Sequence, residues 1–198
     1  MVKLIVQIPC YNEAEFLPAT IAGIPRRIDG VDEVEVLVVD DGSSDGTDQA
    51  AVKAGADHVV RCTKNLGLAK AFATGIEACL KLGADIIVNT DGDNQYAGPD
   101  IPQLVRPILD GAAEIVIGDR RTSKLAHFSL TKKILHKLGS FAVRTLSKTD
   151  VPDAVSGFRA MSRDAALRLN IVTSFSYTIE MVIQAGNKKL AMASVPVA

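Results

Sequence analysis

The chain has 198 residues, 47% of them hydrophobic and 23% charged. That is one domain of ordinary globular composition, large enough to bury a core without disulfides or a structural metal, and it excludes a disordered chain. Lys and Arg number 22 against 23 Asp and Glu, and a balance of −1 argues against a bulk nucleic-acid binder, which is normally basic.

Residues 4–8 form a continuous apolar-rich run closed by Pro9, the pattern of a buried parallel strand. Residues 13–24 have helical composition. A second strand over 35–39 runs at once into Asp40-Asp41-Gly42-Ser43-Ser44-Asp45-Gly46-Thr47. This is turn chemistry, and Asp45 or Thr47 is the expected N-cap of a helix over 49–54. His58–Arg61 reads as a third strand. Residues 68–82 read as a helix, with Leu68, Phe72, Ile76, Cys79 and Leu80 on its apolar positions. Ile86–Asn89 is a strand leading into Asp91-Gly92-Asp93. Residues 99–109 are a proline-started helix that Pro107 is expected to kink, and 114–117 are a further strand. Residues 177–184 look helical, and the last four, Val195 to Ala198, read as the middle of a strand.

Strands separated by helices over the first ~118 residues predict an α/β fold: a mostly parallel central sheet flanked by helices, three layers in all. Ligands of such sheets bind at the carboxyl ends of the strands. The polar motifs follow Ile8, Val39 and Thr90, where that rule puts a site. One domain is expected over 1–198, with a change of character after residue 118. No stretch approaches the ~20 apolar residues of a membrane span, and residues 1–9 lack the features of a signal peptide. Cys10, Cys62 and Cys79 have no metal-ligand spacing and read as reduced thiols, which points to the cytoplasm.

Residues 120–148 differ from the rest. Eight basic residues lie there, including Arg120, Arg121, Lys132, Lys133 and Lys137, with no Asp or Glu. The near-zero total thus hides a basic segment in an otherwise acidic chain. Residues 127–147 have an amphipathic helical pattern, with Ile134, Leu138 and Phe141 on one face. A basic amphipathic helix can lie on an anionic membrane, at roughly 1 kcal/mol per basic residue near the surface. A solvated basic face on a packed helix is the plainer alternative.

The motif chemistry starts with Asp91 and Asp93. One intervening residue puts both carboxylates on one side of an extended strand end. Two like charges held close call for a cation or a proton between them, and Gln95 adds a neutral oxygen of the same parity. All-oxygen ligands suit Mg²⁺ or Mn²⁺; a solvated Asp-Gly turn is the competing reading. Asp40 and Asp41 can accept from a nucleobase or ribose, or serve a turn. Pro9, Tyr11, Asn12 and Glu13 sit at a strand tip that can hold a ribose and a base edge. There is no Gly-x-Gly-x-x-Gly after the first strand and no Gly-x-x-x-x-Gly-Lys-Ser/Thr anywhere, so a dinucleotide-binding Rossmann domain and a P-loop NTPase are both disfavoured. Calcium-loop readings fail because Pro102 and Val52 stand where the bidentate glutamate belongs.

Each segment alone is a weak signal, but the ordered set is specific. Pro9-Cys10-Tyr11-Asn12-Glu13, Asp40-Asp41-Gly42-Ser43, Asn65-Leu66-Gly67, Asp91-Gly92-Asp93-Asn94-Gln95, Gly118-Asp119-Arg120-Arg121 and Asp153-Ala154-Val155-Ser156-Gly157-Phe158-Arg159 resemble the family 2 glycosyltransferases of the GT-A fold. Their pattern is nearest the dolichol-phosphate mannose synthase and polyprenyl-phosphate glycosyltransferase branch. The resemblance implies a metal-dependent, inverting transfer of a hexose from a GDP- or UDP-linked sugar to a lipid phosphate, at the cytoplasmic face of a membrane.

It implies further a single catalytic domain over 1–198, with 1–118 as the donor half and 119–198 as the acceptor half, in which Pro9, Tyr11, Asn12, Glu13, Asp40, Asp41, Asn65, Gly67 and Gly92 bind the donor. Asp91, Asp93 and Gln95 would hold Mg²⁺ or Mn²⁺. Arg120, Arg121 and Ser156 would meet the acceptor phosphate, and Asp91, Asp93, Asp153 and Arg159 would serve catalysis. The middle residue of the Asp-x-Asp motif is often alanine in this branch, and Gly92 departs from that. A saccharide hydroxyl acceptor would need a general base, for which Asp153 and Glu180 are the candidates; a lipid phosphate needs none. A sugar nucleotidyltransferase shares the scaffold but usually carries a glycine-rich basic loop after the first strand, unlike residues 9–13. A nucleotide-sugar-binding module without turnover is disfavoured by the intact Asp-x-Asp motif.

Overall fold

The structure, a computed structural model, describes residues 1–120, 151–173 and 176–198. Arg121 and the basic amphipathic stretch 127–147 lie outside the described residues. In chain order the elements are β1 Lys3–Cys10, α1 Leu17–Gly23, β2 Glu33–Asp40, α2 Thr47–Lys53, β3 His58–Arg61, α3 Leu68–Lys81 and β4 Ile86–Asn89. A 3₁₀ turn, Gly98–Asp100, then leads into α4 Ile101–Leu109 and β5 Ile115–Asp119. After the gap come β6 Arg159–Ser162, α5 Arg163–Arg168, α6 Tyr177–Asn187 and β7 Met192–Pro196.

The seven strands form one sheet in the order β3-β2-β1-β4-β6-β5-β7. The pairs β1–β2, β1–β4, β2–β3 and β5–β7 are parallel. Only β6 runs antiparallel, to β4 on one side and β5 on the other. The expected mostly parallel sheet is present, and β6 is the strand that the apolar pattern did not announce. Its sequence, Arg-Ala-Met-Ser, is too short and too polar to stand out, yet it joins the first four strands to the last part of the sheet.

The period-2 alternation of β1 builds the three layers. Leu4, Val6 and Ile8 point to one face, against Leu17 and Ile21 of α1 and Ile101 and Leu104 of α4. Ile5 points to the other, among Phe72 and Cys79 of α3 and Tyr177 and Met181 of α6. The rings of Phe72 and Tyr177 stack at 3.9 Å between centroids. Each fully buried Leu, Ile or Phe contributes roughly 1.5–3 kcal/mol. α3 lies close over β1 because Gly75 has no side chain: a Cβ there would run into the Gln7 amide and stand 3.0 Å from Val39 Cγ2.

One helix starts later than composition predicts and one earlier. α1 begins at Leu17 rather than 13, with Pro18 in its first turn, where a missing N–H costs nothing. α2 begins at Thr47, so Thr47 is its first residue and not its cap. Gly46, left-handed at φ 88°, takes the cap position, and Asp45 Oδ1 accepts from both Thr47 N and Thr47 Oγ1. α4 passes through Pro107 and ends two residues later.

Candidate active site

The carboxyl ends of β1, β2 and β4 open on the same edge of the sheet, and their loops are laced to one another. Asn12 takes a left-handed φ of 56° and turns the chain after β1 toward β2. Its N–H donates to Ser43 Oγ at 2.9 Å, and its own Oδ1 accepts from Ser44 N at 3.0 Å. Glu13 N donates to Thr47 Oγ1 at 2.9 Å, and Ala14 N to Asp45 Oδ2 at 3.1 Å. Asp41 then captures the third loop: Oδ1 accepts from Leu66 N at 2.9 Å and Oδ2 from Gly67 N at 2.8 Å. Gly42, at φ 74°, allows the approach, since a Cβ there would meet the Lys64 carbonyl carbon at 2.5 Å.

These loops enclose a pocket of about 350 Å³. Pro9, Cys10, Tyr11, Glu13, Asp41, Asn65, Gly67, Asp91, Gly92 and Asp93 all line it. The predicted donor segments therefore converge in space although they span 85 residues of chain. Three expectations change. Asp40 is fully buried, gives Oδ1 to Ser43 N and sets Oδ2 3.4 Å from Arg61 Nε; of the Asp40–Asp41 pair it is Asp41 that faces the pocket. Asn12 spends its side chain bracing Ser44 and is not among the lining residues. Gln95 is exposed and does not line the pocket; Glu13 stands with the two aspartates in its place.

The acid cluster carries an electrostatic strain. Burial, then the neighbouring Asp93 charge, push the Asp91 carboxyl up to about 6. Burial, then Asp93 and Asp45, raise Glu13 as well. Among the described residues no basic side chain pairs directly with Asp91, Asp93 or Glu13. Oxygen donors of like charge, partly desolvated and without a protein cation, fit a hard divalent ion such as Mg²⁺ or Mn²⁺. Among the described residues no three acidic, His or Cys side chains form a metal site on their own. The protein would thus supply part of a shell, leaving positions for diphosphate oxygens and water.

On the other side of Asp91 the loop 151–158 closes in. Gly157 is pressed against Asp91: a Cβ would stand 2.8 Å from Oδ1 and 3.0 Å from Oδ2. Its N–H donates to Tyr96 Oη at 3.0 Å and its carbonyl accepts from Asn89 Nδ2 at 2.9 Å. Asn89 also bonds Gln7 and the Tyr177 hydroxyl, so a buried polar chain ties β1, β4 and α6 to this one glycine.

Here the residues predicted for catalysis and for the acceptor take other roles. Arg159 has no exposed surface. Its guanidinium donates to the carbonyls of Ala154, Ser156 and Thr178, which leaves it no open path to a phosphate. Ser156 is fully buried and its Oγ accepts from Phe158 N, so it too faces the protein. Asp153 is gripped by Arg120, with Nε to Oδ2 at 2.8 Å and Nη2 to Oδ1 at 3.2 Å. Arg120 remains about one-third exposed and lies 6.0 Å over the Tyr96 ring. Glu180 accepts from Val172 N and Thr173 N, which fixes a loop and occupies both its oxygens. Arg121 lies outside the described residues. Sequence reading missed Tyr96 and Asn89, whose partners lie 61 and 68 residues away; no local signal marks them.

The sequence profile of glycosyl transferase family 2 matches residues 5–169. The chain belongs to this family. It is 31% identical over 205 residues to an undecaprenyl-phosphate mannosyltransferase of Micrococcus luteus, covering 98% of this chain and 82% of that one. It is 28% identical over 211 residues to a UDP-N-acetylglucosamine–dolichyl-phosphate N-acetylglucosaminyltransferase of Methanococcus voltae, covering 96% and 82%. Among solved structures, glucosyl-3-phosphoglycerate synthase from Mycobacterium tuberculosis, in complex with Mn²⁺, UDP-glucose and phosphoglyceric acid, superposes with a TM-score of 0.76. That match has 25% identity and covers 98% of this chain and 69% of the other. The α/β architecture is thus that of the GT-A glycosyltransferases, within the branch that the ordered motifs resembled.

Proposed function

We propose that the protein transfers a hexose from a nucleoside diphosphate sugar to a polyprenyl phosphate, with inversion at the anomeric carbon. The observation that carries this reading is the pocket of about 350 Å³ at the tips of β1, β2 and β4. Four carboxylates line it, and three of them, Glu13, Asp91 and Asp93, have no basic partner among the described residues. The names of the relatives, which act on undecaprenyl and dolichyl phosphates, support the acceptor class.

In this reading Pro9, Tyr11, Asp41, Asn65 and Gly67 hold the nucleoside. Asp91 and Asp93, with Glu13 beside them, hold Mg²⁺ or Mn²⁺ and through it the diphosphate. The ion, when bound, neutralises charge on the departing diphosphate. Tyr11, half-exposed at the rim, offers a ring face to a base. Arg120, about one-third exposed and held in plane by Asp153, is the guanidinium assigned to the acceptor phosphate. A planar, always-charged group of this kind suits a phosphate. A lipid phosphate is anionic at pH 7 and attacks without a base. That agrees with Asp153 and Glu180 both being committed to protein partners. Residues 120–148, with eight basic and no acidic side chains, supply the attraction to an anionic membrane. Among the described residues no helix is long and apolar enough to cross one.

The test has two stages. Thermal unfolding with UDP- and GDP-sugars, with and without Mn²⁺, is expected to show stabilisation that needs nucleotide and metal together. Radiolabelled sugar is then expected to move to polyprenyl phosphate in vesicles. Indifference to metal with every nucleotide, or transfer to a soluble saccharide instead, overturns the reading.

A further inference from the structure

The turn that carries Asp91 and Asp93 is held from below by a helix that touches no part of the pocket. Thr20, in the middle of α1, is only 5% exposed. Its hydroxyl lies 3.0 Å from the Gly92 carbonyl, in a buried contact, and 3.4 Å from Phe16 O of its own helix. Gly92 is nested on its other side as well. A Cβ there would stand 2.8 Å from Cys10 Sγ and 3.5 Å from Glu13 Cβ. The far end of the same turn rests on the same helix, since Gly98 packs so closely on the Gly23 carbonyl that a Cβ would overlap it. The Asp91–Gly98 turn is therefore docked on α1 at both ends. At the end that bears the carboxylates, the Thr20 hydroxyl donates the hydrogen bond.

Packing alone does not call for that hydroxyl. Valine has the same shape as threonine, but it would leave the Gly92 carbonyl, buried beside it, with no donor. We propose that Thr20 is a positioning residue: through the Gly92 carbonyl it fixes the spacing at which Asp91 and Asp93 meet a divalent ion and the diphosphate it bridges. The inference rests on the donor-site reading above. It explains why glycine is required between the two aspartates in this chain. Cys10 Sγ fills the space that a methyl group would need, and the hydroxyl below holds the turn in that seat. Partners that hold ligands in place typically carry ~10–100-fold in metal affinity.

Calorimetric titration of UDP and GDP, each with and without Mn²⁺, separates this role from a merely structural one. Wild type is expected to bind one of the two more tightly with Mn²⁺. Thr20→Val is expected to lose about 10-fold of the affinity measured with Mn²⁺ while keeping the metal-free affinity, and Thr20→Ser is expected to recover it. Gly92→Ala approaches the same seat from above and does not depend on how well Thr20→Val folds. It is expected to lose the Mn²⁺ gain, and Cys10→Ala added to Gly92→Ala is expected to restore it by making room. Thr20→Val with an unchanged Mn²⁺ gain overturns the proposal, as does an equal loss with and without metal, or a double variant that recovers nothing. A wild type with no Mn²⁺ gain for either nucleotide is a different failure: it overturns the donor-site reading, and this inference with it.

Discussion

The donor pocket and the 151–159 loop face each other across Asp91, and they treat charge in opposite ways. In the pocket, backbone N–H groups and hydroxyls do the bracing, from Ser43, Thr47 and the amides that Asp41 captures. The carboxylates of Asp91 and Glu13 are left against one another and against Asp93 without a basic partner among the described residues. In the loop every charge is closed. Arg159 is spent on three carbonyls and Asp153 on Arg120. The contrast separates charges reserved for a ligand from charges that build the fold. Residue type alone does not make that distinction, because both regions are rich in the same kinds of side chain.

The sharpest way to break the comparison is to remove a closed charge. Arg159→Met strips the donors from the carbonyls of Ala154, Ser156 and Thr178 in a fully buried setting. Each buried carbonyl left without a donor costs ~1–3 kcal/mol. Urea unfolding is expected to show that loss. A stable variant with only its activity gone would put Arg159 back among the ligand-facing residues.

Removing an open charge is expected to do the reverse. Asp91→Asn breaks no hydrogen bond among the described residues and relieves repulsion with Asp93. Its melting temperature at pH 7 is expected to hold or rise, while turnover falls ~100–1000-fold, the size of a lost electrostatic contact to a transition state. Both readouts are needed. A variant that unfolds more easily would mean that Asp91 has a structural partner after all.

The same residue gives the comparison a pH axis. Asp91 titrates near 6 in the folded chain because burial and then Asp93 disfavour its charge, against about 3.9 when unfolded. Between those values the folded state holds more protons than the unfolded one, so stability from this group falls as pH rises from about 4 to about 6. Melting curves of metal-free wild type are expected to drop across that window relative to Asp91→Asn. Parallel curves for the two proteins would mean that the site leaves Asp91 an ordinary carboxylate.

How much of this could be read from sequence follows the same divide. His58–Arg61 and Ile86–Asn89 were legible to the residue because a short apolar run bounded by polar turns has few other structures open to it. The antiparallel strand β6 was not, because Arg159–Ser162 carries no apolar run and its place is set by partners on β4 and β5. In the pocket, the order of motifs found the segments that converge, since each follows a strand. Which of Asp40 and Asp41 faces the pocket depends on how the strand end turns, and a sequence leaves that open. In the loop, the family resemblance assigned Arg159 to catalysis and Ser156 to the acceptor phosphate, whereas burial gave them to the backbone. The Arg120–Asp153 pair joins residues 33 apart, a tertiary match with no local signature.

The smallest expected effect on turnover tests the acceptor. Glu180 lies in the first turn of α6, and its oxygens accept from Val172 N and Thr173 N at 3.0 to 3.2 Å. Gln184 Nε2 also donates to Oε1, and an amide keeps only one oxygen for these donors, so Glu180→Gln is expected to cost about 1.5–3 kcal/mol of stability, the worth of hydrogen bonds to a charged group, and to leave turnover nearly unchanged. A general base lost from a hydroxyl-accepting enzyme would cost ~100–10,000-fold instead. Asp153→Asn is not an equal test, because it also frees Arg120. Glu180 is thus the cleaner probe of the two. A Glu180→Gln variant with nearly unchanged turnover, in a protein that still glycosylates polyprenyl phosphate, leaves the acceptor's own charge as the source of the nucleophile.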